Sequence, residues 1–325
     1  MWRGLIEEFR ASTGVTVRHV PPGHDLPSLE GALRDDVVAV VSMGLSAEAV
    51  KSLPSLRLVA IPMAGVNTLP VGVLRDRGIQ LANAHANGMW VAERAVALAL
   101  GFMGDLVRGD RDMRLGRWHG FAAGEPATAT WRSIFDTTAA VLGTGSIGRW
   151  IARLLTPFGV ACHGLRRRNG TDSLPEGLFT TVGTDLVEVV TGADIVFATL
   201  PLTPETRGMI GRDELAKMRG SIVINVGRGE VIDEEALYEA LRDGVLAGAA
   251  LDTWYQYPDP PGSPRYPSRF PFHELDNVLM SPHLGGYTAA ATTASAREVA
   301  DTVARWIGDG APADAGGTVD LHAGY

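Results

Sequence analysis

The stretch TTAAVLGTGSIGRWIARLL, Thr137 to Leu155, constrains the fold more than any other part of the chain. A small apolar run ends in Gly143, Gly145 and Gly148, and a helical pattern begins at the same point. Between a strand and a helix, the first glycine makes a tight turn and the second lets a bulky anion approach the backbone. The third lets helix and strand pack closely. Free backbone N–H groups and the helix dipole would then face the phosphates of a dinucleotide, with Ser146 and Ile147 inside the same turn. The alternative is a purely structural turn. Three glycines in six residues weigh little in a chain with 39 of them, so the strand–turn–helix setting carries the reading.

That setting extends along the chain. Strand-like runs Thr137–Gly143, Val160–Leu165, Asp194–Leu200, Ser221–Gly227, Leu246–Leu251 and Asn277–Ser281 alternate with helical stretches. The pattern predicts a parallel sheet with helices on both faces. An earlier, smaller unit shows the same alternation in Val37–Met43, Leu56–Pro62 and Ile79–Ala84. It opens with a helix, Leu5–Ala11, and only then reaches the strand-like VTVRHV, Val15–Val20. A flavodoxin-like unit normally opens with a strand, so either this sheet is one strand short or the true start lies upstream. The fold class expected is α/β, with two Rossmann-like or flavodoxin-like domains and doubly wound parallel sheets. Residues 1–100 with 288–325 would form a substrate-binding domain, and 101–287 the dinucleotide-binding one. A long helix should run from Val91 towards Leu115, and the last helix, Ala289–Ile307, should return to the first unit.

Composition narrows the function. A net charge of −8 argues against nucleic acid or an anionic membrane as the main partner, so an anionic ligand needs a local cationic site. The single cysteine, Cys162, sits in an apolar run; it reads as a buried thiol in a reducing, cytoplasmic compartment. Glu93, Arg94 and Asp105 interrupt the longest apolar stretch, which therefore reads as a core or interface helix rather than a membrane span. No metal is expected.

Chemically useful side chains should gather where the strands end. INVGRGEVIDEEAL puts Arg228 just past one strand, ahead of a helix whose N-cap should be Asp233. A guanidinium there could clamp a carboxylate through two parallel hydrogen bonds. LMSPHLGG puts His283 at the end of another strand. About eighteen residues beyond Gly148, where an acidic residue usually holds the adenosine ribose, stand Arg166, Arg167 and Arg168. Arginine suits a 2′-phosphate, so NADPH is favoured over NADH, with dual use open and a solvated basic turn as the bland alternative.

With these residues in place, the chain resembles the D-isomer-specific 2-hydroxyacid dehydrogenase family, which also includes formate, glycerate, phosphoglycerate and phosphite dehydrogenases. The resemblance covers nearly the whole chain. AGVN (Ala64–Asn67), ANGMWVAERA (Ala86–Ala95), VLGTGSIGRWIA, LPLTPETRGMI, INVGRGEVIDEEAL and NVLMSPHLGG follow in the family's order and spacing. It implies an active site in the cleft between two domains. Arg228 would bind the substrate carboxylate and polarise the 2-oxo group, and His283 would exchange a proton with that oxygen. The resemblance also implies substrate contacts from Ala64, Gly65, Val66 and Asn87. Cofactor contacts would come from Leu200, Pro201, Thr206, Val226, Gly227 and Gly285, and from Asp252, which matches the residue holding the nicotinamide carboxamide. It implies a homodimer built around the Val91 helix.

One position departs from the family. Most members carry LDVFEPEP, whose last glutamate pairs with the histidine; here the segment is LDTWYQYP, with Tyr257 at that glutamate's place. Formate dehydrogenases put glutamine there. A phenol of pKa ~10 stays neutral, so His283 is expected to titrate nearer its unperturbed ~6.5 than a carboxylate-paired histidine. Three readings follow. Tyr257 orients His283, with Trp254 and Tyr255 shaping an unusual substrate pocket; or a carboxylate such as Glu274 or Asp259 takes over; or the aromatics only pack and turnover is lost. The function expected is hydride transfer between a nicotinamide and a small D-2-hydroxy or 2-oxo acid. The alternatives are an unusual anion such as a hydroxyphosphonate or formate, and a catalytically weak dinucleotide-sensing protein.

Overall fold

The structure is a computed structural model that describes residues 2–20, 34–126, 130–167, 175–309 and 319–321. The chain forms two compact units, Met1–Asn87 with Tyr287–Tyr325, and Gly88–Gly286.

In the first unit, strands β1 (Ala39–Val41), β2 (Leu58–Ile61) and β3 (Gln80–Asn83) form a parallel sheet in the order β1-β2-β3. Helices α1 (Trp2–Thr13), α2 (Ala47–Lys51) and α3 (Val71–Asp76) belong to this unit, and the Ser46 side chain caps α2 through the Ala49 N–H. Every residue of β2 is buried, as expected for the central strand of a parallel sheet. VTVRHV does not form a strand: Val15–Val20 run outside the sheet. Alternating apolar residues make a strand only where a neighbour completes the ladder, and in this sheet β1 pairs with β2 and β2 with β3.

The second unit holds seven parallel strands in the order β10-β9-β8-β7-β4-β5-β6. They are β4 (Thr138–Leu142), β5 (Ala161–Leu165), β6 (Thr181–Gly183), β7 (Ile195–Ala198), β8 (Ile222–Asn225), β9 (Gly248–Leu251) and β10 (Val278–Met280). Helices α4 (Gly88–Met103), α5 (Leu106–Met113), α6 (Ser146–Leu155), α7 (Leu186–Val190), α8 (Arg212–Lys217) and α9 (Glu234–Arg242) surround them. The chain winds outward from β4 through β5 to β6, then returns to the other side of β4 at β7. That reversal is a topological switch point, and it opens a crevice at the carboxyl ends of β4 and β7. Strand β6 is an addition to the sequence reading. Its three residues lie at the sheet edge, largely exposed, and so lack the apolar run that marks a buried strand.

Strands β7, β8 and β9 are buried along their whole length, which is why they read as near-continuous apolar runs. Complete burial of Leu142, Phe197 or Ile151 stabilises the sheet by about 1.5–3 kcal/mol each. Helix α4 packs on α6 and on β8 and β9 within its own unit. The fit is close at Gly248, where a Cβ would come within 2.0 Å of the Phe102 ring. These contacts put α4 in the second unit, so the boundary falls at residues 87 and 88 and not at 100 and 101. The helix also stops at Met103 and does not continue towards Leu115. Asp105 turns through a left-handed conformation (φ 55°), and α5 starts again at Leu106. Asp233 caps α9 as expected, its carboxylate accepting the Ala236 N–H at 2.8 Å. Cys162 is buried, and burial raises its thiol pKa to about 11, so it is inert. The final helix, α10 (Ala289–Gly308), is capped by Thr288 and packs on α1, β2 and β3 of the first unit. Among the described residues no helix is long and apolar enough to cross a membrane.

Candidate active site

The glycine turn follows β4 at the switch point. Gly143 takes φ +105°, and a Cβ there would lie 2.8 Å from Thr199 Oγ1 at the end of β7. At Gly148 a Cβ would sit 1.9 Å from the Gly143 carbonyl oxygen, so only glycine lets α6 approach the turn. Gly145 differs: the space in front of it is open, and it is the N-cap of α6 with no side-chain cap. An open second glycine at an uncapped helix N-terminus fits the pyrophosphate of a dinucleotide, and Ser146 and Ile147 are the first helical residues there. The Leu165 carbonyl accepts the Gly143 N–H at 3.0 Å, which places Arg166 just beyond β5 and beside this turn. The Arg166 N–H bonds to Gly183 of β6, and Arg167 is exposed. Arg168 lies outside the described residues.

The loops after β7, β8 and β9 lock together along the same edge. A Cβ on Gly227 would meet the Leu200 carbonyl at 2.7 Å, and one on Gly229 would meet the Trp254 carbonyl at 2.4 Å. Leu200 and Pro201 lead into a compact turn in which the Thr206 hydroxyl donates to the Pro201 carbonyl at 2.6 Å. Val226 is buried beside Gly227.

Arg228 stands at the head of a short 3-10 turn. Asn225 shapes its backbone, donating to the Arg228 carbonyl at 3.1 Å and accepting the Gly227 N–H at 3.1 Å. The guanidinium donates to the Gly227 carbonyl at 2.7 Å, is half-buried, and forms no ion pair among the described residues. Burial lowers its pKa, yet an arginine starting so high stays charged. The site therefore holds a desolvated cation ready for an anion.

His283 follows β10 with φ 57°, a backbone region that few non-glycine residues occupy. Its Nδ1 lies 2.8 Å from the Tyr257 hydroxyl. That hydroxyl also accepts the Trp254 N–H at 3.1 Å, so its own proton is directed to Nδ1 when the imidazole is neutral. The imidazole pKa is lowered below its ordinary value, first by burial and then by Arg228, while Asp252 pulls the other way. The expected value near 6.5 is thus corrected downward, because desolvation and a nearby cation add to the lack of a carboxylate partner. Burial also raises the Tyr257 pKa, which keeps the phenol neutral. Glu274 lies 3.8 Å from His273, and Tyr257 holds the place beside His283 that one of the three readings gave to a carboxylate such as Glu274 or Asp259.

The other aromatics of LDTWYQYP are structural in this fold. Trp254 is 4% exposed, packs edge-on against Phe272 and donates its indole N–H to the Ser281 carbonyl at 2.8 Å. Tyr255 stacks on Phe272 and donates to the Ile232 carbonyl at 3.1 Å. Asp252, at the end of β9, accepts the N–H groups of Leu284 at 3.0 Å and Gly285 at 2.8 Å, and the hydroxyl of Ser281. Its carboxylate thus clamps the His283 loop, a role the sequence did not reveal.

In the first unit, Ala64, Gly65 and Val66 form the loop after β2. Asn83 holds it, donating to the Ala64 carbonyl at 2.7 Å. Glu298 of α10 accepts the amides of His85 and Ala86, fixing the segment just before Asn87. Neither Asn83 nor Glu298 stands in a recognisable pattern in the sequence.

The family model for the D-isomer specific 2-hydroxyacid dehydrogenase NAD binding domain matches residues 96–285. A glyoxylate reductase of Korarchaeum cryptofilum is 30% identical over 279 residues, covering 83% of this chain and 78% of that protein. The solved structure of a glyoxylate reductase from Paecilomyes thermophila superimposes with a TM-score of 0.80 at 25% identity, over 98% of this chain and 95% of that one. A glyoxylate/hydroxypyruvate reductase from Sinorhizobium meliloti, solved with NADP and malonate, gives 0.74 at 28% identity over 91% and 88%. This chain belongs to the D-isomer specific 2-hydroxyacid dehydrogenase family, and is an NAD(P)-dependent oxidoreductase.

Proposed function

We propose that this protein interconverts a small 2-oxo acid and its D-2-hydroxy acid, with Arg228 and His283 as the catalytic pair. The observation that carries this reading is a half-buried guanidinium with no ion pair among the described residues, on the same dinucleotide sheet as a histidine whose pKa is lowered by burial and by that cation. Arg228 binds the acid group and draws charge towards the 2-oxo oxygen. His283 Nε2 gives that oxygen a proton in reduction and takes it back in oxidation, while Tyr257 holds Nδ1 from behind. A bound nicotinamide supplies or accepts the hydride. Gly143, Gly145, Ser146, Ile147 and Gly148 would hold the phosphates of the dinucleotide, and the loop residues Leu200, Pro201, Thr206, Val226, Gly227 and Gly285 would line it, with the buried Asp252 holding the Gly285 amide. The family resemblance adds Ala64, Gly65, Val66 and Asn87 as substrate contacts. Trp254 shapes the site only indirectly, through the Ser281 carbonyl and the Tyr257 hydroxyl.

NADPH is the preferred cofactor in this reading, supported by the arginines after β5, and relatives act with NADP. The names of those relatives make glyoxylate and hydroxypyruvate the first 2-oxo acids to try. Exposed Trp118, Trp131, Phe135 and the 96% exposed Phe121 support a homodimer, formed through the segment after α5. The single buried cysteine supports a cytoplasmic location. Initial rates with NADPH and NADH across a panel of 2-oxo acids test the assignment. Turnover of one acid with a clear cofactor preference supports it; dinucleotide binding without turnover in either direction across the panel overturns it.

A further inference from the structure

We propose that Arg94 is a positioning residue for the proton transfer, acting through Ser281 and Asp252 on the loop that carries His283. The proposal rests on the assignment of His283 given above.

Arg94 lies on α4, and its Nη2 donates to Ser281 Oγ at 2.9 Å. Ser281 Oγ in turn donates to Asp252 Oδ1. From the other side, the amides of Leu284 and Gly285 donate to Oδ1 and Oδ2 of the same carboxylate. Asp252 and Ser281 are both fully interior, at 1% and 3% exposed. A carboxylate buried this deeply needs a counter-charge and filled lone pairs, and the chain from Arg94 supplies the charge through one hydroxyl. Arg94 accepts an imperfect fit to do so, since its Nε is buried without a hydrogen-bond partner.

The consequence reaches His283 in two ways. The histidine sits between Ser281 and the two clamped amides, with its backbone in the left-handed region. Such a conformation persists only where its surroundings over-determine it, and here the Asp252 clamp does that. The second way is electrostatic. His283 is faced by Arg228, Asp252 and the neutral Tyr257, with Glu230 near Arg228. A cation tied to the far side of Asp252 reduces the negative charge that the imidazole feels.

The test compares Arg94→Gln, Arg94→Lys and Ser281→Ala in the full chain. The readouts are kcat, acid KM and dinucleotide Kd over about pH 5 to 9, with melting temperature alongside. Arg94→Gln should lower kcat about 10- to 100-fold through misplacement of the imidazole. It should also move the pH limb of His283 upward by about half a unit or more, because Asp252 is no longer offset. Arg94→Lys keeps the charge and should return the limb towards its original place. Ser281→Ala breaks the link but keeps both charges, so kcat should fall while the limb moves little. Combined with Arg94→Gln it should cost little more than the worse single variant. A lower melting temperature with kcat and limb unchanged would make Arg94 a packing residue and end the proposal. A weaker dinucleotide Kd with unchanged saturated kcat would end it too. If Arg94→Gln does not fold, an unchanged kcat in Ser281→Ala overturns the proposal by itself. Failure of the underlying assignment looks different: His283→Gln would keep its turnover and its pH limb.

Discussion

The loops that carry Arg228 and His283 follow β8 and β10, the two strands that flank β9 in one sheet, yet they are built on opposite principles. The Arg228 loop is held from within: Asn225, three residues away, bonds both the Gly227 N–H and the Arg228 carbonyl. The His283 loop is held from outside. Asp252 reaches it from 31 positions earlier in the chain, Tyr257 from 26, and Arg94 from a helix far upstream. In the proposed mechanism the local scaffold stiffens the group that would clamp the acid. A distributed scaffold lets several elements tune where the imidazole sits and when it titrates.

The largest effect expected tests the local loop. Arg228→Ala should lower kcat/KM by about 10³-fold or more, since the acid group loses both its clamp and the polarisation of its carbonyl. Dinucleotide affinity, read by fluorescence titration, should stay within a few-fold, because the glycine turn is untouched. Equal loss of both would place Arg228 in the cofactor scaffold instead. Next comes the distributed loop: His283→Gln should cost about 10²–10⁴ in kcat, again with dinucleotide bound normally. A smaller loss at His283 than at Tyr257 would reverse the roles assigned to the pair.

The difference between the loops also explains what is legible in the sequence. INVGRGEVIDEEAL announces a strand, a turn and a capped helix within fourteen residues, and the structure delivers Arg228 and the Asp233 cap in that order. The glycine turn is equally local, because the clash at Gly148 is with Gly143 five residues before it. Where structure depends on distant partners, the sequence is silent. Nothing in SPHLGG says that Asp252 will grip the Leu284 and Gly285 amides, and nothing in VAERA says that Arg94 will find Ser281. The same limit affects the fold. VTVRHV has the alternation of a strand and no place in the sheet, while Thr181–Gly183 lacks the pattern and joins it because β5 presents an edge. Trp254 and Tyr255 looked like a site wall, but their polar atoms are engaged by Ser281 and Ile232.

Asn225→Ala probes how far the local loop depends on its single organiser. It leaves the buried Gly227 N–H without its side-chain acceptor, a loss worth about 1–3 kcal/mol of stability, visible in a urea melt. Turnover per folded molecule should fall about tenfold as Arg228 loosens. An unchanged melt would mean that the Leu200 and Trp254 contacts at Gly227 and Gly229 suffice to hold the turn.

The smallest change in rate, and the finest test of the distributed loop, is at Tyr257. The phenol can serve both protonation states of His283. It donates to Nδ1 of the neutral ring and can rotate to accept from the imidazolium, so it orients the ring with little bias in charge. Tyr257→Phe should therefore lower kcat only about threefold to tenfold, the order of one lost hydrogen bond. A carboxylate would add the missing bias: Tyr257→Glu should raise the apparent His283 pKa by about a unit. The sign separates the two directions of catalysis. In the proposed mechanism reduction needs the proton on His283, so its rate should fall as pH rises through a pKa that burial and Arg228 depress. In that mechanism oxidation needs the neutral ring, so its rate should rise with pH through the same depressed pKa. Tyr257→Glu should shift both limbs upward together, which favours reduction at neutral pH and slows oxidation there. Limbs that stay put would show that the glutamate is not beside Nδ1. A shift in one direction only would assign that limb to a group other than His283.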